Sequence, residues 1–140
     1  MLFEKRPHSL RRLLVVEDDP LIAFDNEHVL TEAGYEVVAT VDSVARATAA
    51  LETDQIDLVL ADVRLSNGDN GVDVARAAQQ QGVPVLFVSG HCPEAARQLA
   101  VGCLTKPYRA RDLLDAIDAV EAHLKGGKKA TAPKGLTLYH

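Results

Sequence analysis

The sequence predicts an α/β domain built on a doubly wound five-stranded parallel sheet, and three observations carry that expectation. Five short apolar runs, rich in Val and Leu, are bounded by turn residues. Segments of helical period separate them, the signature of βα repeats. The runs are near-continuously apolar, as befits strands covered by helices on both faces.

Strands are expected from Arg12 to Glu17, Glu36 to Val41, Leu58 to Asp62, Val83 to Ser89 and Val101 to Thr105. Pro84 is tolerable because it sits at the start of its run. A first helix is expected over Leu21 to Ala33, since Asp19 can cap it, Pro20 suits its first position and Gly34 follows its end. Asp25 and Asn26 interrupt its stripe of Ile22, Val29, Leu30 and Ala33, and are expected to face water. Ser43 caps a second helix running to about Glu52. A third begins near Gly71 and stops before Gly82, and Cys92-Pro93-Glu94 opens a short fourth. The last runs from about Arg111 to Lys125, with Leu113, Ile117, Val120 and Leu124 as its apolar face. Beyond Gly126-Gly127 the composition turns to Lys, Ala, Thr and Pro without apolar period. The domain is therefore expected over residues 11–125, with an N-terminal arm over 1–10 and a flexible C-terminal tail over 126–140.

A chain of 140 residues, 47% of them hydrophobic, has room for one domain with a real core. Its 15 basic and 20 acidic residues leave a net charge of -5, the wrong sign for a protein that tracks phosphate backbones, so direct DNA binding is not expected. Residues 1–10 lack the apolar stretch of a signal peptide and no later run is long enough to span a bilayer. A cytoplasmic location without a membrane partner is the expectation. Cys92 and Cys103 are too few and too poorly spaced for a zinc site or a disulfide framework, and are expected as reduced, small structural residues.

Four runs end on polar groups: Glu17-Asp18, Asp62, Ser89 and Lys106-Pro107. In a parallel sheet these converge at the carboxyl edge, where open α/β sheets place their ligands. Carboxylates within a few ångströms repel by roughly 4 kcal/mol per pair at an effective dielectric near 20. Such a cluster needs a cation, and hard oxygen ligands favour Mg²⁺ or Mn²⁺. Ser89 and Lys106 would then hold the outer oxygens of a phosphoryl group. The chemistry implied is phosphoryl transfer to a carboxylate.

Four ordered motifs, Val15-Val16-Glu17-Asp18-Asp19, Asp57-Leu58-Val59-Leu60-Ala61-Asp62, Val88-Ser89-Gly90 and Thr105-Lys106-Pro107, make the chain resemble a response-regulator receiver domain of two-component signalling over about Arg11 to Lys125. The resemblance implies a flavodoxin-like (βα)5 fold with strand order 2-1-3-4-5. It also implies Asp62 as phosphoacceptor, a metal held by Glu17, Asp18, Asp62 and the Arg64 carbonyl, Ser89 as switch hydroxyl, Lys106 as phosphate contact and a cis Lys106-Pro107 peptide. The partners implied are a sensor histidine kinase or histidine phosphotransfer protein and an unidentified downstream protein, with the chain a monomer or weak phosphorylation-dependent dimer.

Asp19 is expected as a helix cap rather than a ligand, and Asp57 as a strand-start residue facing solvent or a turn. His91 stands at the rim of the site, whereas His8, His28, His123 and His140 are expected to be solvated. Two departures stand out. Cys103 occupies the place where many receivers carry Tyr or Phe; the chain resembles a stand-alone subgroup that lacks this aromatic and pairs its loss with a Phe-x-Ser/Thr-Gly fourth strand, here Phe87-Val88-Ser89-Gly90. The loop after Asp62 lacks the common proline and is longer, with Arg64 free to shield a phosphate or pair with a partner's acid. The function expected is a single-domain regulator or phosphate sink, not an enzyme beyond its own phosphoryl transfer and dephosphorylation. A phosphate-independent receiver-like scaffold is the alternative. A dehalogenase-like phosphatase would want a second acid two residues after its nucleophile, and a flavodoxin-like cofactor binder a phosphate loop after strand 1; Asp18-Asp19-Pro20-Leu21 offers neither.

Overall fold

The computed structural model describes residues 9–127 and 132–139. Most of the arm expected over 1–10, residues 128–131 of the expected tail, His8 and His140 lie outside the described residues. Chain order runs β1 (Arg12–Val16), α1 (Pro20–Glu32), β2 (Glu36–Val41), α2 (Val44–Thr53), β3 (Leu58–Ala61), α3 (Gly71–Gln80), β4 (Val85–Ser89), β5 (Gly102–Thr105), α4 (Ala110–Leu124) and β6 (Leu136–Leu138). The sheet order is β2-β1-β3-β4-β5-β6. The first five strands are parallel in the order 2-1-3-4-5, as expected, and β6 is antiparallel to β5.

Because successive strand residues point to opposite faces, each strand divides its apolar side chains between two cores. Leu14, Val16, Val59, Ala61 and Phe87 pack with Ala47 and Leu51 of α2 and Val74, Ala75 and Ala78 of α3. Leu13, Val15, Leu58, Leu60, Leu86 and Leu104 pack with Leu30 of α1 and Leu113, Ile117 and Val120 of α4. The caps follow the sequence. Asp19 accepts from the backbone N–H groups of Leu21 and Ile22 at 2.9 and 3.3 Å, and Ser43 accepts from Arg46 at 3.2 Å. Asp57 accepts from the N–H groups of Arg11 and Arg12, both at 2.9 Å, so its carboxylate fixes the start of β1.

The structure corrects the sequence reading in several places. Residues 136–138, expected within a flexible tail, form β6, and the Tyr139 N–H donates to the Val101 carbonyl at 2.8 Å. The edge of β5 would otherwise present unpaired backbone groups, and the buried Tyr139 ring anchors the pairing. Cys92 and Cys103, expected to be reduced, form a disulfide; the loop after β4 folds back over β5 and brings their Cα atoms to 6.1 Å. The expected fourth helix is instead a 3₁₀ segment over Glu94–Leu99, with Ala96 its buried residue. Leu124 is exposed. His123 is half-buried, its Nε2 3.3 Å from the Tyr139 carbonyl. Asn26 is buried rather than facing water.

A Cβ on Gly102 would lie 2.5 Å from the Thr137 carbonyl oxygen. Gly102→Ala should therefore displace β6 while leaving the parallel sheet intact, at a cost of about 1–3 kcal/mol typical of forced overpacking. Hydrogen exchange reads this directly: the Tyr139 amide loses protection while the β1 and β3 amides keep theirs. Unchanged protection of Tyr139 would refute the close approach.

Candidate functional site

The carboxyl edge of the sheet gathers the polar residues that end the strands. Glu17 and Asp18 follow β1, Asp62 follows β3, Ser89 ends β4 and Lys106 follows β5. Carboxylate oxygens of Glu17, Asp18 and Asp62 lie within 4.8 Å of one another. The Lys106 ammonium donates to Glu17 Oε1 and Asp62 Oδ2, both at 3.0 Å, and so bridges the two innermost acids. The Lys106-Pro107 peptide is cis, as the sequence reading expected.

Backbone groups fix the acids further. The Asp19 N–H donates to Glu17 Oε2 at 3.1 Å, and the Arg64 N–H donates to Asp62 Oδ1 at 3.1 Å. Burial pushes the Glu17 carboxyl above the usual glutamate range, opposed in part by Lys106 and the Asp19 N–H. Burial alone would depress the Lys106 ammonium, but its hydrogen bonds to Asp62 and Glu17 and their charges outweigh it, and the net direction is up. Lys106 therefore stays a cation. Its removal leaves two inward-facing acids unbalanced, and Lys106→Met should cost about 2 kcal/mol in urea unfolding with a chelator present, somewhat below the cost of breaking a fully buried pair. Added Mg²⁺ should restore part of the loss; a stability equal to wild type in chelator would refute the balancing role.

Beside the acids, Asp62, Arg64, Ser89, Gly90, His91 and Lys106 line a cleft of about 350 Å³. The Ser89 hydroxyl is engaged with its own loop: it donates to the His91 carbonyl at 3.0 Å and accepts from the His91 N–H at 3.2 Å. All the site residues expected from the sequence thus meet at one edge, with His91 exposed at the rim.

Two contributors escaped the sequence reading. Ser66, in the long loop after β3, donates its hydroxyl to Asp18 Oδ2. The Tyr108 hydroxyl donates to Asn26 Oδ1 at 3.0 Å and ties the segment after Lys106 to α1. The polar break at Asn26 in the α1 stripe was the available signal for the second; nothing in the spacing marked Ser66.

The donor set suits a divalent cation. Three carboxylates supply hard oxygens within one ion's reach, and a small octahedral ion completes its shell with water and phosphate oxygen.

Fold and site together define a flavodoxin-like α/β domain whose functional groups stand at the carboxyl edge of its strands, beside the switch in strand order. The chain belongs to the response regulator receiver family, whose model matches residues 13–118. It is 33% identical over 114 residues to the transcriptional regulatory protein PdtaR of Mycobacterium tuberculosis, covering 77% of this chain and 55% of that protein. It is 32% identical over 81 residues to the phyllosphere-induced regulator PhyR of Methylorubrum extorquens, covering 56% of this chain and 30% of that one. This chain thus spans about half of the first and less of the second. A CheY-like response regulator receiver domain from Methanospirillum hungatei superposes with a TM-score of 0.72 at 27% identity, covering 85% of this chain and all of that structure. Receivers hold Mg²⁺ in an acidic pocket, and Glu17, Asp18 and Asp62 form such a pocket here. Among the described residues no helix is long and apolar enough to cross a membrane.

Proposed function

We propose that this receiver accepts a phosphoryl group at Asp62 from a phosphohistidine on a sensor kinase or histidine phosphotransfer protein. One observation carries the reading: Asp62 shares a single edge with two further acids within 4.8 Å and a lysine at 3.0 Å. An Asp62 carboxylate oxygen attacks phosphorus as the phosphorus–nitrogen bond to histidine breaks. Glu17, Asp18, Asp62 and the Arg64 carbonyl would hold a Mg²⁺ ion, which would supply charge neutralisation on the transferred group. Lys106, which bonds the carboxylates in the resting state, passes to a phosphoryl oxygen, and the Ser89 hydroxyl leaves His91 to meet another. Arg64 and His91 line the mouth of the cleft and control water at the acyl phosphate. The changed loop surface from Cys92 to Arg109 is the output, read by a downstream protein or spent in a phosphate sink.

A phosphate-independent scaffold is the second reading. It draws on Cys103, bonded to Cys92 at the place where many receivers carry a mobile ring. Incubation with phosphoramidate and Mg²⁺, followed by intact mass, separates the two. The phosphoacceptor reading expects a Mg²⁺-dependent gain of one phosphoryl group that Asp62→Asn abolishes. No gain by folded wild type would leave the scaffold.

A further inference from the structure

The Cys92–Cys103 disulfide joins two parts of the molecule that the phosphoacceptor reading requires to move relative to each other. Cys103 is fully buried in β5, where it pairs with Phe87 of β4 and Thr137 of β6. Cys92 immediately follows His91, whose backbone N–H and carbonyl both bond the Ser89 hydroxyl. The turn that carries the hydroxyl is thus anchored at one end by β4 and, three residues on, by a covalent bond to β5. For Ser89 to leave His91 and reach a phosphoryl group on Asp62, this turn must reshape. The bond to Cys103 restrains it; two free thiols would not.

The two sulfurs differ in access. Cys103 is enclosed by the α2/α3 core, whereas Cys92 is partly exposed beside the exposed His91. The strand ladders do not depend on the bond, and a buried free cysteine packs as a small apolar residue, so the fold can hold either form. Where a thiol pool keeps cysteines reduced, a disulfide that forms at all is usually a transient of redox chemistry.

We propose that Cys92 and Cys103 form a thiol–disulfide exchange site for a small or protein dithiol, and that its state sets how readily the Ser89–Cys92 turn closes over the phosphoryl group. The proposal rests on the phosphoacceptor reading. In reduction a thiolate of the dithiol bonds to Cys92 Sγ as the Cys92–Cys103 bond breaks, and Cys103 leaves as a thiolate that takes a proton from solvent. The second thiol of the dithiol then attacks the mixed disulfide, releasing Cys92, which is protonated in turn, and the dithiol departs as its own disulfide. Two electrons and two protons pass from dithiol to protein; oxidation by a disulfide is the reverse.

The test uses the full chain, oxidised in air or reduced with dithiothreitol without denaturant, each state checked by counting alkylated thiols after denaturation. Phosphoramidate and Mg²⁺ are then added, and the rate of phosphoryl gain and the acyl-phosphate lifetime are read by intact mass. The expected result is no alkylation of oxidised protein, two alkylations after reduction, and phosphoryl gain at least five-fold faster in the reduced form. Cys92→Ser should gain phosphate at the reduced rate with or without dithiothreitol. Equal rates and lifetimes in both states would overturn the exchange site while leaving the phosphoacceptor intact. Two alkylations of the air-treated protein, or a disulfide that opens only in denaturant, would overturn it as well. No phosphoryl gain in either state would remove the phosphoacceptor reading and this inference together.

Discussion

Asp62→Asn should abolish phosphoryl gain and at the same time raise the unfolding free energy of the metal-free protein by about 1 kcal/mol. Each repulsion of Asp62 by Glu17 and by Asp18, at no more than 4.8 Å, is worth about 3.5 kcal/mol at an effective dielectric near 20, and the attraction to Lys106 at 3.0 Å about 5.5 kcal/mol. The two repulsions together outweigh the one attraction. Lys106 keeps its bond to Glu17 in the variant, so no cation is stranded. Urea unfolding with a chelator present measures the gain, and adding Mg²⁺ should narrow or reverse it, because the wild type would offer the ion one more carboxylate. A variant less stable than wild type in chelator would show that the lysine pair dominates the cluster. The sign is therefore opposite to that expected for Lys106→Met, and measuring both brackets the charge balance of the site.

The second large effect is expected at Gly71. A Cβ there would lie 2.1 Å from the Asp62 carbonyl oxygen and 2.9 Å from both the Asp62 carbonyl carbon and Val63 Cα. All three are backbone atoms, so no rotamer change relieves the contact. The Gly71 N–H also donates to the Val63 carbonyl at 2.8 Å, which pins the first turn of α3 against the peptides after Asp62. Gly71→Ala must push α3 away or turn the Asp62–Val63 peptide. It should cost about 3 kcal/mol or more, at the upper end of overpacking effects. Misplacing a reacting group by about 1 Å costs on the order of a hundred-fold in rate. Phosphoryl gain per folded molecule should fall at least ten-fold, whereas a stability variant remote from the site would leave that ratio alone. Wild-type stability and rate together would refute the close approach.

The parallel sheet and the acids at its edge were legible because strand ends and functional groups coincide in this architecture. Asp62, Ser89 and Lys106 each stand where an apolar run stops, and topology alone carries them together. The rest depended on contacts that spacing does not encode. β6 is only three residues long, too short to show a period, and its pairing partners in β5 lie 32 to 36 residues back, as in Leu104 with Leu136 and Gly102 with Leu138. The disulfide required the loop after β4 to double over β5. Asn26 looked like a solvated break in α1 because its partner, the Tyr108 hydroxyl, comes from a distant loop. The acceptor of Ser66 is likewise 48 residues away.

β6 also closes one edge of the sheet to other strands. Parallel sheets end in edges whose free backbone groups recruit foreign strands, and β5, four residues long and paired along its other side with β4, would be such an edge. Covered by β6, it presents instead a three-residue margin, too brief to template a growing stack. Loosening this short segment should bare the β5 edge to foreign strands while the parallel core stays folded.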